Sequence, residues 1–522
     1  MTGLDYVIVG AYLLGLLALG AVFRHQQNRK DFFLGGRSLA WPALTLSVMA
    51  TQLSAISFIS APAFVGLREG GGLIWLSYEL ALPLAVIVML WRLLPTLHAS
   101  GVVSVYDYLE RRFSRSTRLL ISFVFQLSRS FATAIMIYAI SLILQGTMGL
   151  TQWHSILAIG VITLIYSAMG GMKAVVYGDA IQMVLIVAGA AICLWVGLDA
   201  AGGWHNVMNN VDGNRLLAVN TQSAGLAGND FGLLPMLFGG VVLYASYYGC
   251  DQSEAQRSLS SRSVGDLRKM LISVAFLRFP ITVLYCAAGL VIGTLVLNSP
   301  ELLAQIPDDA PDWMMPVFIV NYLPPGIVGL LIVAILAAAM SSLSSAINSL
   351  SAVTVEDICR LTNVTPTDTQ YLRYARVAGI GWGIITLVLS FYAGDIAPTV
   401  IEAINKIGSV FYGPVLATFL VGIHFRTVSP RAANIGLGLG VLMNVLLWLT
   451  GSPLFWFWWN LVGFIVTTAT AVLLSMFYPN DNQHALPSTR GLSIKHAGVL
   501  LVWCLALITL CLAIPEWLLA AR

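Results

Sequence analysis

A row of small polar side chains lies inside an apolar run of the sequence, where it could hold an ion. At about 100° per residue, one helix face carries Ser341, Ser344, Ser345 and Asn348, and Ser342 lies beside it. Hydroxyl groups inside hydrocarbon must face protein, water or an ion, and hard cations such as Na⁺ prefer oxygen ligands. The row therefore indicates a cation site, or it serves close packing between helices.

Charged residues deep in apolar segments are a second group of candidates, because a charge there needs a partner. They are Glu79, Arg129, Arg278 and Lys406. A structural ion pair explains Arg129 and Glu79 as well as ligand contact does, and snorkelling or a salt bridge explains Lys406 better. Three cations against one deep acid and the interfacial Asp179 favour an anionic solute. Arg129 is the best candidate to grip a carboxylate bidentately.

The composition of the chain indicates that these polar groups lie within a membrane protein. The chain has 522 residues, of which 58% are hydrophobic and 10% charged, and its mean hydropathy is +0.83. These values predict an all-α membrane protein, and the first segment is predicted to be a retained span. Fourteen spans are predicted at 5–23, 41–66, 73–94, 117–149, 152–169, 175–198, 232–249, 270–297, 313–350, 372–393, 399–423, 432–451, 453–477 and 496–517. Most of the 27 basic residues then fall in cytoplasmic loops if the N-terminus is outside.

Two of the predicted spans contain features typical of a broken helix. The second span holds a polar, small-residue patch at residues 50–57, and the seventh holds the pair Gly239-Gly240 followed by residues 244–249, which are small and aromatic. The two spans are five helices apart. Transporters built from inverted repeats place such breaks in corresponding helices, with ion and substrate bound at the breaks.

Sequence motifs in the family order resemble those of the sodium:solute symporter family, whose members carry glucose, proline, sialic acid, iodide, monocarboxylates and vitamins. The motifs occupy residues 33–37, 50–58, 105–113, 169–175, 177–182, 252–257 and 337–357. The resemblance implies the leucine-transporter architecture with Na⁺-driven alternating access. It divides the chain into a leading helix and loop, a first repeat, an outer loop, a second repeat and trailing helices, at 1–40, 41–198, 199–231, 232–423 and 424–522.

The resemblance also implies two groups of Na⁺ ligands. The family's shared sodium site maps onto the carbonyl groups of Ala50, Leu53 and Ala338 and the hydroxyl groups of Ser341 and Ser342. A second site, found in some members, maps onto Asp179, Ser344, Ser345 and again Ser341. The alternative for Asp179 is an interfacial acid that faces water.

A solute pocket follows from the same resemblance. Glu79, Tyr247, Arg278 and Asn405 align with sugar-contacting or gating positions of glucose-type members. Ser54, Ser57 and Arg129 align with pocket positions of the sialic-acid type, in which the arginine holds the substrate carboxylate. Without the resemblance, Tyr247 would be interpreted as a packing aromatic. Residues 52–57 lack the acidic-amide pair of glucose-type members, which argues against a hexose.

These observations predict a secondary active transporter of the plasma membrane, with the N-terminus outside, and not an enzyme. Its predicted partners are Na⁺, membrane lipid and a small organic solute, preferably a sialic acid, sugar acid or monocarboxylate, and no nucleic acid. The alternatives are a Na⁺-coupled symporter of a neutral sugar, or a Na⁺ channel or uniporter. The six cysteines show neither metal-ligand spacing nor a disulfide framework, and no HExxH or GxSxG motif is present.

Overall fold

A computed structural model describes residues 2–22, 35–102, 104–167, 172–226, 228, 230–479 and 489–520. Within these ranges the regular structure is helical, apart from three isolated β-bridges. Parts of two sequence motifs, at 33–34 and 169–171, lie outside the described residues. The side chains of the predicted ligands Ala338 and Ser341 lie outside them as well, although both residues belong to a described helix.

The longer helices follow the predicted spans closely. The first half of the chain forms α1 (Gly3–Val22), α2 (Trp41–Gln52), α3 (Ala55–Gly66), α4 (Leu73–Ala99), α5 (Val105–Arg112), α6 (Arg115–Met148), α7 (Gln152–Ser167) and α8 (Met172–Ala200). The second half forms α9 (Gly240–Cys250), α10 (Gln252–Leu259), α11 (Val264–Leu297), α12 (Met314–Tyr322), α13 (Ile327–Thr362), α14 (Asp368–Ser390), α15 (Val400–His424), α16 (Pro430–Leu449), α17 (Phe457–Leu474) and α18 (Ile494–Ala520). Among the described residues, nine helices are long and apolar enough to cross a membrane, and α2 with α3 makes a tenth.

The predicted break in the second span is present, and it is explained by the residues at the break itself. The helices α2 and α3 meet at an angle of 54°. Leu53 leaves the helical conformation at φ −83° and ψ 53°, and the extended Ser54 accepts a hydrogen bond from the N–H of Ile56. A serine at this position favours a new helix start because its side chain replaces a missing backbone partner. The break therefore leaves carbonyl groups at the end of α2 without helical partners.

The helix of the seventh span breaks neither at the glycine pair nor within residues 244–249, so the predicted position was wrong. Gly239 and Gly240 are helical, and a Cβ at Gly240 would come within 2.8 Å of Ala81 Cβ on α4. The pair therefore serves a close helix approach rather than a break. The chain instead leaves the helix at Asp251, with φ −74° and ψ 125°, and Asp251 caps α10 by accepting from Ser253 N–H. A short polar cap residue suits this role.

The predicted span 313–350 is not one helix. The helix α12 ends at the extended Leu323, and α13 starts after Gly326, which has a positive φ of 89°. Pro324 and Pro325 between them cannot donate backbone hydrogen bonds, so the first helix cannot continue.

In the turn before α12, Asp312 accepts from the N–H of Val400 at 2.8 Å, and burial raises the pKa of its carboxyl to about 6.

A buried arginine explains two of the motifs. Arg118 on α6 is 1% exposed and forms ion pairs with Asp107 and Glu110 of α5 and with Asp357 of α13. The separation from Glu110 is 3.2 Å and that from Asp357 is 3.4 Å. Its guanidinium thus joins residues 105–113 to the end of the motif 337–357.

Candidate functional site

A buried cavity lies beside the break between α2 and α3, enclosed by helices from both halves of the chain. All seven residues predicted to contact solute line it: Ser54, Ser57, Glu79, Arg129, Tyr247, Arg278 and Asn405. They lie on six helices, and the cavity forms where these helices converge. The structure thus brings these residues together, and their individual roles in binding stay predictions.

Several lining residues were not singled out from the sequence. They are Gln52, Trp75, Tyr78, Met136, Thr282, Tyr285 and Tyr412, with a number of aliphatic side chains. Gln52 belongs to the polar patch 50–57, so its position was a usable signal. Its Oε1 accepts from Arg278 Nη1 at 2.6 Å and from the Tyr248 hydroxyl. The aromatic residues carried no such signal, because aromatic residues occur throughout the spans.

One wall of the cavity is a saturated ion pair. Arg278 Nε on α11 donates to Glu79 Oε2 on α4 at 2.7 Å. The same oxygen accepts from the Tyr244 hydroxyl at 3.0 Å, and Oε1 accepts from the Thr282 hydroxyl at 3.1 Å. A buried pair is favourable only when its remaining hydrogen-bonding groups are satisfied, as they are here. Glu79 and Arg278 therefore balance each other in charge.

The opposite wall carries a second pair, which is not fully satisfied. Arg129 on α6 forms an ion pair with Asp251 at the break between α9 and α10. Arg129 is 5% exposed, and its guanidinium lies 5.7 Å from the ring centre of Tyr247. In the part of the chain that the structure describes, its Nε donates no hydrogen bond. Arg129 and Glu79 thus both form ion pairs, Arg129 with Asp251 and Glu79 with Arg278, and not with each other.

The predicted excess of cations at the cavity is wrong. Arg278 is neutralised by Glu79, and Arg129 by Asp251, which was not counted among the deep acids. Lys406 does not line the cavity: its Nζ lies 5.0 Å from the ring centre of Trp448 and 3.5 Å from the Ile396 carbonyl oxygen. Glu402, in the first turn of α15, pairs with Arg68.

Asp179 also has a partner that the sequence did not reveal. Arg257 Nη2 on α10 lies 2.9 Å from Asp179 Oδ2, and Ser47 of α2 bonds to both side chains. Arg257 Nη1 also approaches the hydroxyl of Ser345 at 3.5 Å. This arginine lies in the motif 252–257, so its presence was visible, but its position beside Asp179 was not.

The oxygen groups suited to Na⁺ lie where α13 packs against the broken helix. Ser342, Ser344 and Ser345 are buried on α13, which contacts α2, α3 and α8. Ala50 and Leu53 contribute backbone carbonyl groups at the end of α2. Hydroxyl and carbonyl oxygens are the ligands that a hard monovalent cation takes, so the donor set fits Na⁺. Among the described residues, no group of three or more His, Cys, Asp or Glu side chains forms a transition-metal site.

A bidentate ion pair lies at the edge of a second space, the vestibule, which is lined by residues 67–69, 306–309 and 394–398. Arg68, just after α3, donates from Nη2 to Glu402 Oε1 at 2.8 Å and from Nε to Oε2 at 3.2 Å. Arg68 lines the vestibule, whereas Ile401, next to Glu402, lines the cavity. The pair therefore ties the residue after α3 to the first turn of α15, and we expect it to act as a closure between the two spaces.

Replacing Glu402 by glutamine should loosen this closure, because it removes one charge of a partly buried pair. We expect a cysteine at Ser57 to react several-fold faster with a membrane-impermeant thiol reagent in Glu402→Gln than in its parent, above the background of the six native cysteines. Glu301→Gln, an exposed acid outside this pair, is the matched control. Equal labelling rates in both backgrounds would show that the pair does not close the cavity.

The broken helix and the buried polar cavity beside it define a membrane transporter. The model of the sodium:solute symporter family matches residues 32–440. The chain therefore belongs to the sodium:solute symporter family. The resemblance stated from the motifs is confirmed, and so are symport and Na⁺ as the coupling ion.

Proteins similar to this chain include Na⁺-coupled transporters of sialic acid and of monocarboxylates. The chain is 28% identical over 485 residues to a sodium/sialic acid symporter of Aliivibrio fischeri (strain ATCC 700601 / ES114), covering 92% of this chain and 94% of that one. It is 29% identical over 507 residues to a sodium-coupled monocarboxylate transporter 2 of Danio rerio, covering 95% and 76%. A substrate-bound, outward-open Na⁺-coupled sialic acid symporter superposes with a TM-score of 0.78 and 25% identity, covering 94% of this chain and 99% of that one.

Proposed function

We propose that this symporter carries a carboxylate-bearing solute, such as a sialic acid, a sugar acid or a monocarboxylate, by alternating access. The observation that carries the proposal is Arg129, whose buried guanidinium lines the cavity with its Nε–H free of hydrogen bonds in the described part of the chain. A buried donor without a partner costs about 1–3 kcal/mol. A solute carboxylate offers two acceptor oxygens in the geometry that a guanidinium binds best.

The rest of the cavity supports a solute with polar groups beyond the carboxylate. Ser57 lines it, and Asn405 holds its side chain in place by donating from Nδ2 to the Ile401 carbonyl oxygen at 2.7 Å. Ser54, Ser57 and Asn405 would then bind hydroxyl or amide groups, and Tyr247 would pack over the solute. The saturated pair of Glu79 and Arg278 supplies a rigid polar wall. The similarity to sialic acid and monocarboxylate symporters supports the same class.

The two sodium sites are proposed from the same arrangement. The first uses the carbonyl groups of Ala50, Leu53 and Ala338 and the hydroxyl groups of Ser341 and Ser342. The second uses Asp179, Ser344 and Ser345, and an ion there would share Asp179 with Arg257, which lies 2.9 Å away. Two neighbouring cations weaken each other's hold on one carboxylate. The second site is therefore expected to be the weaker of the two.

The architecture is proposed to have fourteen spans, with inverted repeats at 41–198 and 232–423 and the N-terminus outside the plasma membrane. The helix breaks at Leu53–Ser54 and at Asp251 support this repeat, since the first lies within the first span of its half and the second lies directly after the first span of the other half. Lipid contacts the exposed apolar faces of the outer helices. A transporter with breaks in corresponding helices suits alternating access better than a channel, which needs a continuous path.

A transport screen of the reconstituted chain tests the solute class. With an inward Na⁺ gradient, we expect accumulation of N-acetylneuraminate, gluconate or lactate, and at least tenfold less accumulation of glucose, because a neutral sugar leaves the Arg129 donor unpaired. Uptake of the anion should require Na⁺. Accumulation of glucose alone would assign the chain to the neutral-sugar symporters, and Na⁺ flux without any solute uptake would indicate a channel or uniporter.

A further inference from the structure

Glu254 is a buried carboxyl group that the proposed transport cycle does not use. It lies in the first turn of α10, three residues after the break at Asp251, and is 0% exposed. Among the described residues neither carboxylate oxygen accepts a hydrogen bond of normal geometry, although the Tyr247 hydroxyl lies close. A carboxylate without a partner in such a place is very unfavourable, so it requires a compensating ligand.

The charges around Glu254 do not balance. Two guanidinium groups, Arg129 and Arg257, are already committed to Asp251 and Asp179. Arg257 also bonds to the hydroxyl of Ser47 and the carbonyl oxygen of Ser253. Three carboxyl groups thus share two cations, and Glu254 is the one without an ion pair in the described part of the chain.

Among the residues that the structure describes, no other neighbour of Glu254 supplies the missing charge. The described titratable groups that interact electrostatically with Glu254 are Arg129, Tyr247, Tyr248, Asp251, Arg257 and Tyr412. Helices packed against α10 also carry His98 and Tyr106, and the acids Asp107, Glu110 and Asp357 on two of these helices are paired with Arg118. His98 Nε2 is bonded to the Ser261 carbonyl oxygen at 2.9 Å, and the Tyr106 hydroxyl donates to the Cys250 carbonyl oxygen. The remaining tyrosines are neutral hydroxyl groups.

We propose that Glu254 binds a proton that is transported together with the solute. The proton leaves water on the side from which solute enters, forms an O–H bond with a carboxylate oxygen of Glu254 and returns to water on the other side, with no change of oxidation state. A proton suits this position because it needs no shell of ligands. A metal ion would need several oxygens around it.

Protonation of Glu254 also compensates the negative charge of the bound solute, and this step rests on the proposed function. A solute carboxylate at Arg129 must share that guanidinium with Asp251, which adds a further negative charge beside Glu254. A proton on Glu254 offsets it. Solute binding and proton binding should therefore strengthen each other.

Proteoliposomes that hold the full chain and a lumenal pH dye test the proposal. With an inward Na⁺ gradient, addition of N-acetylneuraminate or gluconate should acidify the lumen in the wild type. Glu254→Gln should keep Na⁺-dependent uptake, lose at least nine-tenths of the acidification and take up solute at a rate that no longer changes with pH. Glu301→Gln, on an exposed site, should behave as the wild type. Solute uptake by the wild type without acidification, or equal acidification by Glu254→Gln, overturns the proposal.

Two further measurements keep the outcomes separate. One Na⁺ and one proton per anion carry the same net charge as two Na⁺, so the ratio of ²²Na⁺ to solute flux is needed to distinguish them. Acidification at a Na⁺-to-solute ratio of one or of two agrees with the proton, and a ratio of two without acidification contradicts it. If none of N-acetylneuraminate, gluconate and lactate is taken up, the solute class fails. The proton is then tested by infrared difference spectra of wild type against Glu254→Gln, in which absence of a protonated-carboxyl C=O band that titrates with pH overturns the proposal.

Discussion

Replacing Arg129 by lysine should lower Vmax/KM of carboxylate uptake by about 100-fold, because the change keeps the charge and loses the planar fork of donors. A bidentate guanidinium–carboxylate contact in a buried cavity is worth about 2–5 kcal/mol more than an unpaired arrangement. The lysine ammonium would reach Asp251 or the solute, but it cannot hold both oxygens of a carboxylate in one plane. Initial rates of N-acetylneuraminate, gluconate and lactate uptake over a range of concentrations measure the effect.

Lys406→Arg is the matched control, since this side chain is also a partly buried cation but lies outside the cavity, against Trp448. It should leave uptake within about twofold of the wild type, as expected for changes away from a site. Normal carboxylate uptake by Arg129→Lys would remove this residue from the binding site. Uptake of neutral sugars only, by the wild type, would remove the carboxylate proposal altogether.

Replacing Ser342 by alanine should raise the Na⁺ concentration for half-maximal uptake by at least tenfold, with the folded protein retained. The change removes one oxygen from a small set of ligands, and a tenfold loss of affinity corresponds to about 1.4 kcal/mol. Ser341→Ala is expected to act in the same direction. Uptake measured as a function of Na⁺ at saturating solute gives the shift, and the thermal unfolding temperature in detergent checks the fold.

Ser351→Ala tests whether loss of any buried serine hydroxyl on α13 raises the Na⁺ concentration for half-maximal uptake. The Ser351 hydroxyl donates to the Asn348 carbonyl oxygen of its own helix at 2.9 Å, so its loss should not affect ion binding. The control should therefore show the wild-type Na⁺ dependence. If Ser341→Ala and Ser342→Ala also show it, the shared sodium site does not lie on this face.

Several features could be predicted from the sequence because their causes are local. Long apolar segments require helices in a membrane, and each predicted span contains a helix. The break at Leu53–Ser54 follows from a polar, small-residue patch with a serine able to cap the next helix. The seven cavity residues were found because a charged or polar side chain inside a span has few places to go, and because the motifs matched a family.

The break in the seventh span shows where local information was not enough. Gly239 and Gly240 permit a break, but they equally permit a close contact, and here α4 lies against them. Asp251 ends the helix instead, since its side chain caps α10 and also pairs with Arg129 on α6. Whether the helix ends at the glycine pair or at Asp251 depends on the contacts that neighbouring helices make at each position.

The pairing of charges was decided by the tertiary structure alone. Arg278 meets Glu79 across 199 residues of sequence, and Arg257 meets Asp179 across 78. A buried charge must find a counter-charge, so the sequence determined that Glu79, Arg129 and Arg278 would have partners. The identity of each partner depends on which helices are neighbours and how they are rotated, which residue types and spacing do not encode. For the same physical reason, only the folded chain shows that Glu254 has no ion-pair partner among the described residues.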